Sequence, residues 1–211
     1  MASLRSTLLA AAALAALALP ASATTILTMG QTSGSDTIHA TANGAGTSTT
    51  IAGSGVAVDV TQIDAAVAVP TPAVLDFSAT SVGAASHAGA FVTQAFDGSF
   101  SITEGAINYL SGTFTDAVFG LGDSLSLDAA DPPGTVSFTS SEITALGLPR
   151  GLSLSFTDVT PGVSIDHDTL ASFAASISGN FSAAPVPEPA SLALLGAGLV
   201  GLAAVRRRFA R

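Results

Sequence analysis

The sequence has no cysteine, no lysine and no tryptophan, and its one tyrosine is Tyr109. Without cysteine there is no disulfide framework and no thiolate metal site, so the chain must hold together by packing and hydrogen bonding. Without lysine, all fixed positive charge rests on six arginines, and Arg5, Arg206, Arg207, Arg208 and Arg211 lie in the terminal segments. Only Arg150 falls in the middle, among fourteen of the fifteen acidic residues; the other acid is Glu188. So acidic a body excludes nucleic acid as a partner, because neutralising phosphates takes Lys and Arg. It suits solubility in a polymer-rich exterior and is compatible with cation binding. The near absence of Trp and Tyr also removes the large aromatic faces on which a sugar ring would stack.

The two ends are informative. After Arg5 an uncharged apolar run extends from Leu8 to Leu19, followed by Pro20-Ala21-Ser22-Ala23. A positive charge, a short apolar core and an Ala-x-Ala ending are the three parts of a secretory signal peptide. Ala21 and Ala23 are the small residues at the cleavage site, which places the cut before Thr24 and makes residues 1–23 a signal helix. Twelve apolar residues are too few to span a bilayer comfortably.

At the other end, Val186-Pro187-Glu188-Pro189 leads into an uncharged stretch from Ala190 to Val205, then Arg206-Arg207-Arg208. As a helix the sixteen residues would reach about 24 Å, a short transmembrane span with its arginines on the cytoplasmic side. The ordered set of Pro-Glu-Pro, apolar segment and terminal arginines resembles the PEP-CTERM sorting domain of Gram-negative bacteria. That resemblance covers residues 186–211. It implies export through the Sec machinery, a transient stay in the inner membrane, recognition by an exosortase, and delivery to the cell surface or exterior. It implies nothing about the body between the two ends.

Residues 24–55 are rich in Gly, Ser and Thr and carry few large apolar residues, so they are expected as a mobile arm or weak edge strands. From Val56 the pattern sharpens into period two. Val56, Val58 and Val60 share one phase, as do Phe96, Gly98, Phe100 and Ile102; Leu125 and Leu127; Val136 and Phe138; Leu152, Leu154 and Phe156; and Phe173, Ala175, Ile177 and Phe181. Ser and Thr fill most of the opposite phase. The phase slips between Ile107–Tyr109 and Leu110–Phe114, which predicts a bulge near Asn108 to Leu110. Turn-formers separate the runs, among them Asp131-Pro132-Pro133-Gly134, Pro149-Arg150-Gly151 and Pro161-Gly162. Ser140 to Leu148 is read as a short helix or turn. The body is therefore all-β, an antiparallel β-sandwich or jelly roll over residues 56–184, with a sorting tail over 185–211.

Catalytic signatures are missing. There is no Gly-x-Ser-x-Gly and no His-Glu-x-x-His, and His39, His87 and His167 have no obvious triad partners. A glycosidase would have to use Glu104 and Glu142, the two glutamates of the body. Asp166-His167-Asp168 is the densest group of ligand-type side chains, and Asp166 and Asp168 are the candidate Ca²⁺ ligands, although the spacing matches no EF-hand. Otherwise no cofactor is expected. The sequence thus predicts a non-enzymatic exported protein of the cell surface or exopolysaccharide matrix. The alternatives are a carbohydrate- or calcium-binding adhesion module and, more distantly, a secreted hydrolase.

Overall fold

The computed structural model describes residues 22–32, 37–88, 91–121 and 125–185. Every regular element among them is a strand. In chain order these are β1 (Thr24–Gln31), β2 (Ile38–Ala42), β3 (Thr49–Ile63), β4 (Thr71–Ser81), β5 (Ser86–Ala88), β6 (Phe91–Glu104) and β7 (Ile107–Leu121). There follow β8 (Leu125–Asp131), β9 (Val136–Thr139), β10 (Gly147–Thr160), β11 (Ile165–Asp166), β12 (Thr169–Leu170) and β13 (Phe173–Ala184).

The antiparallel, all-β expectation holds; the sandwich or jelly-roll layout does not. Pairing runs β6–β4–β3–β1–β13–β10–β8–β7, and β7 pairs back to β6, so eight staves close into a barrel. Period-two alternation places apolar residues inside either architecture, so it cannot distinguish them. Curvature does, and it comes from bulges and inward-facing glycines. The expected bulge on β7 is present: Ile102 and Thr103 of β6 face Leu110 and Asn108, leaving Tyr109 as the extra residue. A second slip lies between Gly53 and Val56 on β3, where Gly55 has a φ of 68°. There the Asp76 carboxylate accepts bonds from the Ser54 hydroxyl at 2.8 Å and the Gly55 N–H at 2.9 Å, which fixes the bulge.

Inside the barrel, phenylalanine and glycine exchange places across β6 and β7. Gly98 faces Phe114 and Phe100 faces Gly112. A methyl group at Gly112 would sit 2.0 Å from the Ser137 carbonyl oxygen, so this position admits no larger residue without moving β9. Two aromatic clusters fill the lumen. Phe100, Phe138 and Phe181 occupy one half, with Phe100 and Phe181 centroids 4.8 Å apart. Phe119 touches Phe96, Phe156 and Phe173 in the other half. Ser, Thr and Asp point outward, the reverse of the apolar band that a lipid-facing barrel carries.

The stretch 24–55 corrects the expectation of an arm or edge strands. β1 and β2 are consecutive halves of a single stave between β3 and β13. Ile26, Leu27, Ile38 and Ile51 are almost wholly buried, and these few anchors suffice because strands flank them on both sides. β8 and β9 likewise lie in one line along β7, interrupted by the Pro132-Pro133-Gly134 insert. Ser140 to Leu146 forms a turn rather than a helix, in which the Ser140 hydroxyl accepts from the Glu142 and Ile143 N–H groups. Pro149-Arg150-Gly151, read as a turn, belongs to β10.

The barrel has two dissimilar ends. One, the terminal rim, gathers Thr24, Ala184 and the connections 64–70, 105–106 and 140–146. The other, the lid rim, gathers connections 43–48 and 82–85 with the β11–β12 hairpin.

Candidate functional site

The terminal rim is where the chain enters and leaves the barrel. β1 and β13 are hydrogen-bonded neighbours, and Thr24 faces Ala183. Ala183 and Ala184 are fully buried. Gly147 lies so close to the exit that a methyl group there would meet the Ala184 carbonyl oxygen at 2.8 Å. Ala23 is exposed immediately before β1. Ala21, Val186, Pro187, Glu188, Pro189, Arg206, Arg207 and Arg208 lie outside the described residues, as do the expected signal helix and transmembrane helix. Among the described residues no helix is long and apolar enough to cross a membrane.

The barrel wall carries an open groove of about 910 Å³ over β2, β3, β4 and β6. Its floor is set by register. Ala52, Ser78, Ser99, Thr113 and Ser137 form one outward row across β3, β4, β6, β7 and β9, and Asp76, Ser101, Ser111 and Thr139 form the next. Neighbouring strands stand about 4.8 Å apart, so the hydroxyls repeat at that interval along each row. On the β7–β9 side they satisfy one another, Thr113 with Ser137 at 2.7 Å and Ser111 with Thr139 at 2.8 Å. The side-chain hydroxyls of Ser78, Ser99 and Ser101, in the groove itself, have no hydrogen-bond partner among the described residues. His39 lines the groove from β2. Sequence reading missed this surface because its residues come from four strands, each unremarkable alone.

The Asp166-His167-Asp168 group sits at the tip of the β11–β12 hairpin on the lid rim. His167 has a φ of 54°, and its Nδ1 lies 2.8 Å from Asp166 Oδ1 with both side chains well exposed. Asp168 is held through its backbone: its N–H donates to the Gly46 carbonyl, and its carbonyl accepts from the Ala85 N–H. No group of three or more His, Asp or Glu side chains converges on a cation position among the described residues. Beneath the tip lies a buried polar plug. The Gln94 amide donates to the Gly83 carbonyl and the Thr169 hydroxyl and accepts from the Leu170 N–H, while the Thr49 hydroxyl meets that of Thr169 at 2.6 Å. Gln94, Thr49 and Thr169 are nearly inaccessible to solvent.

Glu104 and Glu142 are engaged near the terminal rim. Glu104 accepts from the Tyr109 phenol and from Thr71, and Ser141 donates to Glu142. The bond to Glu104 holds the Tyr109 phenol above its ordinary pKa of 10.0, with smaller contributions from burial and the nearby acids, against the Thr71 contact. Neither glutamate lines the wall groove. Arg150 finds no salt-bridge partner among the described residues; its guanidinium donates to the carbonyls of Leu146 and Val136. It thus ties β9 to the start of β10, where the two strands do not pair.

No curated protein and no solved structure matches the chain. The family model described as the PEP-CTERM protein-sorting motif matches residues 185–208, starting at the first residue beyond β13. The chain therefore carries a PEP-CTERM protein-sorting motif at its C-terminal end, the signal of an exported, exosortase-sorted protein whose precursor is membrane-anchored.

Proposed function

We propose that this is a non-enzymatic protein of the cell surface or surrounding matrix, whose hydroxyl-lined barrel wall associates with hydrated exopolysaccharide. The observation that carries the reading is the groove. Ser78, Ser99 and Ser101 offer hydroxyls without a partner among the described residues, at strand spacing, in an open groove that His39 also lines. A neutral polymer presents hydroxyls in return, and many weak exchanges of water for polymer sum to useful affinity without any charged contact. The acidic body is consistent with such a partner because it keeps the molecule soluble among polymers and clear of nucleic acid.

In this account residues 1–23 direct export. The tail then holds the barrel at the inner membrane until cleavage near Pro187–Pro189 releases or re-anchors it. No cofactor is required.

Two experiments test the reading. Replacing Pro187 and Glu188 by Ala blocks trimming, seen as retention of the full tail mass; an unchanged mature mass contradicts processing at that motif. Replacing Ser99 and Ser101 by Val lowers co-sedimentation of the trimmed protein with the producing cell's exopolysaccharide several-fold. Undiminished co-sedimentation contradicts the groove as the contact surface.

A further inference from the structure

We infer that the terminal rim is a membrane-resting surface, seated on the outer interface of the inner membrane while the tail is inserted. The proposal rests on the membrane-anchored precursor that the sorting motif implies. Its independent support is the placement of uncovered apolar side chains. Six large apolar residues are exposed among the described residues, and Val69, Ile107 and Leu148 lie on the terminal rim at 43%, 40% and 57% exposure. Each comes from a different part of the ring: the β3–β4 connection, the β6–β7 turn, and the start of β10 beside Ala184. Val74 is exposed on the wall just above that rim, next to Thr103. The remaining two, Val82 and Val118, flank Ala95 on the lid half.

Chain length fixes what this rim meets. Five residues, Pro185 to Pro189, separate the end of β13 from the first residue of the uncharged stretch, Ala190. Fully extended, the six Cα steps from Ala184 to Ala190 span at most about 22 Å. With the tail inserted, the rim is therefore held within that distance of the hydrocarbon, and a contact too weak to form between free molecules becomes intramolecular. Among the described residues the rim has Asp64, Glu104 and Glu142 as its acids, and its base, Arg150, faces Asp131 across strands, so attraction to anionic headgroups is not the driving force. The partner is a zwitterionic lipid interface met by apolar side chains. Its consequence is a fixed orientation, with the lid rim facing away from the membrane and the motif held at the interface.

The chain lacks cysteine, so single cysteines can be placed without background. The full chain is reconstituted into phosphatidylcholine vesicles containing brominated acyl chains, with an environment-sensitive dye on Val69→Cys, Ile107→Cys, Leu148→Cys, Val82→Cys or Val118→Cys. The proposal predicts quenching at the first three positions at least threefold greater than at Val82 and Val118. In the Val69→Cys chain, adding Ile107→Asp and Leu148→Asp abolishes that quenching while the protein still floats with vesicles. Equal quenching at both ends, or undiminished quenching in the Asp variant, overturns the rim contact while leaving tail insertion intact. A full chain that does not float overturns tail insertion and the rim contact together.

Discussion

The two ends of the barrel are built from the same Ser/Thr-rich alternation yet are closed in opposite ways. The lid rim is sealed by polar chemistry: Gln94 and Thr49 rise from β6 and β3 to grip the β11–β12 hairpin, and their bonds to Thr169 and Leu170 are desolvated. The terminal rim is sealed by apolar turns and by the pairing of the first strand with the last, and it leaves Val69, Ile107 and Leu148 uncovered. An end that faces solvent alone gains from a plug whose polar groups are all satisfied. An end from which a membrane tail departs tolerates exposed apolar residues, because the tail brings an apolar phase to it. If the rim rests on the membrane as proposed, the anchoring requirement reaches past the tail into the barrel's own rim.

The sharpest way to break the comparison is to empty one half of the core. Phe119→Ala removes the ring that joins three others in the lid half. It should cost about 3–5 kcal/mol in urea unfolding, as large aromatic-to-alanine changes do in cores. Gln94→Leu tests the plug alone. It leaves the Leu170 N–H and Thr169 hydroxyl short of partners and should cost about 1–3 kcal/mol. Hydrogen exchange should quicken in β11 and β12 while β1 and the end of β13 keep their protection. Equal loosening of both rims would show that they are not independent.

Arg150→Met makes the matching test at the terminal rim. It removes the bonds to the Leu146 and Val136 carbonyls and should cost about 1–2 kcal/mol, with faster exchange confined to β9 and the start of β10. The smallest expected effect concerns Tyr109. Its folded-state pKa lies above the ordinary 10.0, so its contribution to stability is complete below that pH and is lost as pH rises through the folded value. Tyr109→Phe should therefore flatten the alkaline decline in stability, measured as the denaturation midpoint against pH.

Much of the barrel was legible in the sequence because the inward phase of each strand is written as alternation. The runs at Phe96 to Ile102, Leu152 to Phe156 and Phe173 to Phe181 all point their apolar residues inward as expected. The phase slip at Tyr109 coincides with the bulge on β7. Closure was not legible, because alternation says which face is buried and not what it is buried against. Nor was the role of β1 and β2, whose specificity comes from neighbours rather than from their own small residues. One signal was overlooked: Gln94 stands in the inward phase between Val92 and Phe96, where a polar side chain has to find buried partners. The sorting motif was readable because it is linear, whereas the groove unites residues as far apart as His39 and Ser101.

The central claim is that the sorting tail begins where the barrel ends, so that trimming leaves the barrel whole. The intact mass of the exported protein tests this most directly. The account predicts a C-terminus beyond Ala184, with the arginines of the tail removed and β13 complete. A mass that still includes Arg211, or one that places the new end within β13, would contradict it.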